Sequence, residues 1–469
     1  MQSTLGSRGS QNSQSSTGPA FRFTVLLGPT VPFMTQLRRA LICIIAACIV
    51  FPCPSGAYSV LTHEAIIDSA WDANIKPLLL ARFPNATPDD LRKAHGFAYG
   101  GAIIQDMGYY PHGSKFFSDL THYFRSGDFV QALLRDSQDL NDYAFALGAM
   151  AHYAADNAGH RLATNRAVPI LYPELKKKYG DVITYEDNPI AHVKTEFGFD
   201  VLEVAKGRYA PDAYHDFIGF DVAAPLLERA FFETYGLPLT DVLKDEPKVI
   251  NSYRRDVSSL IPKATRIAWK LKQDDIQKDV AGATRQKFLY NISRSSYEKQ
   301  WGKDYTKPTF GETVLAFLIR ILPKIGPLRV LAFRTPTPQT EKFFEESFNV
   351  TLDRYRALLA QLRKGEPALP NDNFDVGETT PRGKYRLADA ACAELLDRIA
   401  QNNFANASPE LRAELLRFYA SPEAPSTAKV SEKARARLKA ELQKLENAPL
   451  TPAAAQSSQE TGDPSPTDP

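Results

Sequence analysis

The nonapeptide HYAADNAGH, running from His152 to His160, is the tightest constraint on what this chain can become. It lies within LNDYAFALGAMAHYAADNAGHRLA, a stretch of good helix formers without proline. On a helix, His152, Asp156 and His160 recur every four residues and span only about 80° of arc, so they share one face. Two imidazoles and a carboxylate on a mostly apolar helix are costly to bury unless something pairs with them. A metal ion does so, and nitrogen plus carboxylate donors suit zinc. A helix interface in which all three are hydrogen-bonded is the alternative. The rise from His152 to His160 is about 12 Å, too long for both to hold one ion with ease. Asp156 sits midway and can bridge, so the pattern asks for more than one metal.

The start of the chain bears on where such a metal is met. From Met34 it reads as a secretory signal: Arg38 and Arg39, an apolar run over 40–51, then PCPSGA, with Ser55 and Ala57 at the small-residue positions before a cut. An apolar run of about 12 residues is too short to span a bilayer comfortably. Residues 1–33, rich in Ser, Gly and Gln, read as disordered or as an upstream extension. Cleavage after Ala57 removes four arginines and no acid, leaving 52 of the 56 basic side chains against 54 acidic ones, a balance with no nucleic-acid signature. It also removes three of the four cysteines. With only Cys392 left, an exported chain has no intramolecular disulfide and must be held by its core, with metal as the other candidate.

Residues 58–211 read as all-α. Thr62 is positioned to cap a helix that carries His63, Ile66, Ile67 and Ala70 inward. Thr87-Pro88-Asp89-Asp90 is a second helix start, with proline at the first position, and that helix runs to Asp106. Asp106 and His112 fall in irregular structure, and His122 falls on a helix. Asn188-Pro189 opens another helix, on which His192 and Glu196 lie one turn apart. All eight histidines precede residue 216. Residues 212–446 are helical by pattern. Within them, 310–333 is the most apolar mature segment, but Pro323, Pro327 and scattered charges prevent it from being a transmembrane helix, and it reads as packed core. Asp136, Asp139 and Asp142 read as a solvated face, as does the charged helix SEKARARLKAELQKLEN. Residues 447–469, rich in Pro, Ala and Ser, read as disordered.

His152, Asp156 and His160, the HxxxE pair His192 and Glu196, and the single candidates His63, Asp106 and His122 make a metal-ligand set in a chain with few histidines. This set resembles the zinc-dependent phospholipase C family, whose wider fold group includes the fungal single-strand nucleases and the glycosylphosphatidylinositol-specific phospholipase D. The resemblance covers roughly Tyr58 to Gly207. It implies an all-α, multi-helix phospholipase C/nuclease-like domain with a trinuclear zinc cleft, followed here by a helical extension. It further implies that Tyr58, exposed by cleavage after Ala57, binds zinc through its main chain together with His63. Asp106, in GAIIQDMGYYP, matches the catalytic-site aspartate and joins His122 and His152 at a second ion, with Asp156 bridging the first two. His160, His192 and Glu196 hold a third. The family usually begins with Trp where this chain has Tyr58. The short spacing from Asp156 to His160 and the run GYYPHGSKFFSDLTHY look more like the phospholipase D branch.

The resemblance thus implies an exported, zinc-dependent phosphodiesterase with three zinc ions, acting on phospholipid at a membrane surface, with Asp106 orienting water or acting as general base. Stable nucleic-acid binding is not expected, and neither is a transmembrane helix in the mature chain. The alternatives are a single-strand nuclease, a phospholipase D-like activity on the same scaffold, and a zinc-stabilised binding protein without catalysis. His95 and His215 read as structural or surface residues. His112, in the loop beside Asp106, is a candidate phosphate contact.

Overall fold

The computed structural model of the chain describes residues 60–206, 208–209, 219–257, 268, 272, 331–365, 367–420 and 432–449. Among them there is no β-strand, only an isolated antiparallel bridge between Asn373 and Glu378, so the all-α expectation holds. The first helices are α1 (Val60–Ala70), α2 (Lys76–Arg82), α3 (Pro88–Gly101), α4 (Lys115–Tyr123) and α5 (Ser126–Asp136). The long helix α6 (Leu140–Gly159) follows, then α7 (Asn165–Leu171), α8 (Pro173–Tyr179) and α9 (Pro189–Ala205). The remainder contributes α10 (Ala224–Tyr235), α11 (Leu239–Val242), α12 (Glu246–Arg255), α13 (Pro338–Leu362), α14 (Arg386–Ala400), α15 (Pro409–Ala420) and α16 (Glu432–Asn447). None of the described helices is long and apolar enough to cross a membrane.

Helix α6 is the axis of the bundle, and every residue from Tyr143 to Gly159 is buried. Asp139 starts it, accepting hydrogen bonds from the backbone N–H groups of Asn141 (2.8 Å) and Asp142 (2.9 Å). It is therefore an N-cap, worth about 1 kcal/mol, and is also solvent-exposed as expected. Helix α3 starts as its sequence predicts, with Thr87 and Asp90 forming a reciprocal capping box. It crosses α6 at very short range: a Cβ on Gly148 would collide with the Ala98 carbonyl, and one on Gly101 with that of Phe145. Helix α3 ends at Gly101, short of the expected Asp106. A separate 3-10 turn, Ile104–Tyr109, then carries Asp106. Helix α13 also packs against α6, where the Tyr355 hydroxyl donates to the Leu147 carbonyl at 3.0 Å.

One apolar core extends from Val60 to Leu445, so residues on both sides of the boundary expected at 211 share it. A helix without a second apolar layer cannot exclude water from its inner face, and α6 receives that layer from helices before and after the boundary. The expectation for 310–333 concerns residues outside the described set up to 330; Leu331 and Phe333, at its end, are buried. Cys392 is buried and not in a disulfide.

Candidate metal centre

Five elements aim polar side chains into this core. Helix α1 is anchored to α9 through Asp200, which accepts from the Leu61 N–H (3.0 Å) and the Thr62 hydroxyl (2.7 Å). Thr62 thus ties two helices together instead of capping one, and the tie sets the depth of His63. The turn bearing Asp106 is pinned by Ser118, whose hydroxyl donates to the Gln105 carbonyl at 2.6 Å and accepts from the Gly108 N–H at 3.0 Å. His122 projects from α4, and His152 and Asp156 from α6. His160 opens a π-helical turn, His160–Thr164, a widening of the helix that is frequent at functional sites. His192 and Glu196 lie one turn apart on α9.

Three imidazoles are oriented by acceptors. The Nδ1 atoms lie 2.7 Å from the Ser118 carbonyl for His122, 3.0 Å from the Ala102 carbonyl for His152 and 2.8 Å from Asp375 Oδ1 for His160. Carbonyl and carboxylate oxygens only accept, so each Nδ1 carries a proton and each Nε2 faces inward. Asp156 is the hub. Its Oδ1 lies 3.5 Å from His63 Nε2, and its Oδ2 lies 3.0, 3.5 and 4.0 Å from the Nε2 atoms of His152, His122 and His160. Asp106 Oδ1 is 3.3 Å from His122 Nε2. Glu196 Oε1 is 2.7 Å from His192 Nε2 and 3.8 Å from His160 Nε2.

Donor atoms within 4.8 Å of one another form three groups: His63, His152 and Asp156; Asp106, His122 and His152; and His160, His192 and Asp375. All of these residues are buried. Many of the converging atoms have no hydrogen bond: Asp106 Oδ1, both Asp156 oxygens, His160 Nε2, both ring nitrogens of His192 and both Glu196 oxygens. An unmet buried donor or acceptor costs about 1–3 kcal/mol, so such a concentration of them marks a place where a further group belongs. Imidazole nitrogens and carboxylate oxygens clustered at this range are the donor set of zinc, and the residues fit that ion. Asp375, in the third group, already accepts hydrogen bonds on both oxygens, which leaves Glu196 as the open carboxylate there.

The electrostatics agree with a site built for positive charge. Burial and the neighbouring His152 push His63 down to about 3, and burial with His160 does the same to His192, so both rings stay neutral, as a metal ligand must. Burial disfavours charge on His122, but the facing Asp106 and Asp156 outweigh it and hold its pKa up at about 10. Burial likewise opposes ionisation of Asp156, yet His152 and His122 keep its carboxyl well below the usual range. Asp106 is raised by burial, with His122 only partly offsetting this, and Glu196 is raised well above the ordinary value by burial and by Asp156.

Residues 62–244 match the family model for zinc dependent phospholipase C. Over these residues the chain is similar to that family. The matched segment contains every ligand candidate read from the sequence except Tyr58, and it spans well under half of the 469 residues. No curated protein and no solved structure matches the chain.

Of the residues singled out by sequence, His63, Asp106, His122, His152, Asp156, His160, His192 and Glu196 are brought together in the matched segment. Tyr58, the signal at 34–57 and His215 lie outside the described residues. His95 is structural: its Nε2 lies 3.0 Å from Asp68 Oδ1, and its ring stacks on Trp71 at 3.7 Å. His112 is exposed and has a positive φ of 70°. Two contributors were not read from the sequence. Asp200 looks like any helical acid, and Asp375 lies far beyond the family segment, in the turn-rich run NDNFDVGETTPRGKY, with no periodicity to mark it.

Proposed function

We propose that this protein is an exported phosphodiesterase that hydrolyses phospholipids by attack of water on phosphorus, using three zinc ions. The observation that carries the reading is the convergence of the Nε2 atoms of His122, His152 and His160 on the buried carboxylates of Asp106, Asp156 and Glu196. On this reading, His63 and Asp156 would hold one ion with the main chain of Tyr58, and Asp106, His122 and His152 would hold a second that shares Asp156. His160, His192 and Glu196 hold the third. Zinc at such sites supplies Lewis acidity toward water and phosphoryl oxygens.

The protein's own contribution begins with Asp106. Burial raises its proton affinity while leaving it 3.3 Å from His122 Nε2, so it suits proton transfer to or from a reacting water. The acceptors on the three Nδ1 atoms keep each ring in one tautomer and orientation. Tyr109 and Tyr185, with ring centroids 5.8 Å from His122 and 5.5 Å from His192, help to wall the site. Their apolar faces exclude bulk water beside the reacting groups.

The test is a hydrolysis panel of phosphatidylcholine, a phosphatidylinositol glycan and single-stranded DNA, run with and without a zinc chelator. Chelator-sensitive release of a phosphorylated head group and diacylglycerol is expected. Phosphatidic acid as product would assign phospholipase D chemistry, cleavage of DNA alone would assign a nuclease, and no hydrolysis by zinc-loaded protein would leave a binding role.

A further inference from the structure

We infer that Asp375 is a positioning residue of the metal centre, fixing the protonated nitrogen and the aim of His160, so that a segment far outside residues 62–244 completes the third site. The inference rests on the zinc reading above. Asp375 lies 215 residues from His160 in sequence, yet its Oδ1 receives the His160 Nδ1–H at 2.8 Å and its side chain is buried. Its Oδ2 accepts from the Tyr185 N–H at 2.8 Å and from the Tyr385 hydroxyl at 2.7 Å. Both oxygens are engaged, so the carboxylate serves the imidazole and leaves metal binding to His160 Nε2. A carboxylate behind a ligating histidine locks its tautomer and raises its basicity, and its loss typically weakens metal retention 10–100-fold.

The segment that carries Asp375, residues 370–385, is anchored in the core at Asn373, Phe374, Asp375 and Tyr385. The Phe374 N–H donates to the His122 carbonyl at 3.0 Å, directly at a ligand candidate of another ion. The Phe374 ring packs 5.3 Å from that of His122 and 5.9 Å from that of His152. The Ser126 hydroxyl donates to the Asp372 carbonyl at 2.6 Å, the Tyr153 hydroxyl to the Pro370 carbonyl at 3.0 Å, and the Asn165 side-chain amide to the Asp375 carbonyl at 2.7 Å. Gly377 adopts φ of 73°, and a Cβ there would sit 2.5 Å from the Asn157 carbonyl of α6. The strap therefore lies backbone-to-backbone against the helix that presents Asp156 and His160, too close for any other residue at that position.

The experiment is zinc counting by inductively coupled plasma mass spectrometry on the full-length mature protein, dialysed against graded chelator. Asp375→Asn is nearly isosteric, but its amide must face either the His160 Nδ1–H or the two donors at Oδ2. It is expected to lose about one zinc per protein at a chelator concentration that leaves the wild type loaded, with retention of that ion 10–100-fold weaker. Asp372→Asn, on the same strap but not touching His160, is expected to keep the wild-type count. Tyr385→Phe removes a single donor from Oδ2 and gives a milder variant should Asp375→Asn not fold; about tenfold weaker retention is expected. A zinc-loaded wild type with Asp375→Asn, or Tyr385→Phe in its place, indistinguishable from it overturns the inference alone. So does equal zinc loss in Asp372→Asn, which would make the strap merely structural. A wild type that holds no zinc overturns the zinc reading, and this inference with it.

Discussion

Replacing Asp156 by Asn is the sharpest perturbation of the centre, because one carboxylate faces four imidazoles at 3.0–4.0 Å while Asp106 faces His122 at 3.3 Å. The substitution preserves shape and removes one negative charge, along with the acceptor capacity of one oxygen. A charge about 4 Å from an ion at an effective dielectric constant near 20 interacts by roughly 4 kcal/mol per unit charge. Removing even a group that only supports a ligand costs 10–100-fold in affinity, so losing a shared ligand should cost at least about 100-fold for each ion it touches, roughly 2.7 kcal/mol apiece. Asp106→Asn touches one proposed ion instead of two, at a carboxylate whose main role is proton transfer, and about tenfold is expected for that ion. Zinc per protein, measured against a chelator series, is thus expected to fall in Asp156→Asn at a concentration at least about tenfold below that needed for Asp106→Asn. Near-UV circular dichroism in excess zinc checks that both variants retain the native core. Equal zinc loss in the two variants, or a fully loaded Asp156→Asn, would refute the bridging role.

Two further outcomes are expected. In the metal-free protein, His63 and His192 keep folded pKa values of about 3 against 6.5 unfolded. The unfolded chain alone therefore takes up their protons between those values, and stability falls as pH drops from 6.5 toward 3. His122, held at about 10, has the opposite sense: its contribution is complete below 6.5 and is lost as pH rises through 10. Taken together these three groups place maximum metal-free stability near pH 6.5, and a denaturation midpoint unchanged between pH 4 and 6.5 would refute this balance. The mature protein is also expected to begin at Tyr58. A form carrying one extra residue before it should hold less zinc and hydrolyse more slowly, and N-terminal sequencing with zinc analysis of both forms checks this.

The eight imidazole and carboxylate candidates on α1, the Asp106 turn, α4, α6 and α9 could be read from the sequence because helical periodicity is local. Spacing of four places His152, Asp156 and His160, or His192 and Glu196, on one face whatever surrounds them. The role of Thr62 could not be read, since it depends on a contact between helices, the hydrogen bond to Asp200. Asp375 is the clearest instance. Nothing about an aspartate in a turn-rich run distinguishes it from a solvated one until the strap docks on α6 and brings it 2.8 Å from His160 Nδ1. The sequence by itself determined the helical class and the inward-facing ligands, because both follow from local backbone geometry. Tertiary structure alone decided which atoms meet, which nitrogen of His122, His152 and His160 is hydrogen-bonded, and that Asp375 reaches His160, because those depend on packing between elements distant in the chain.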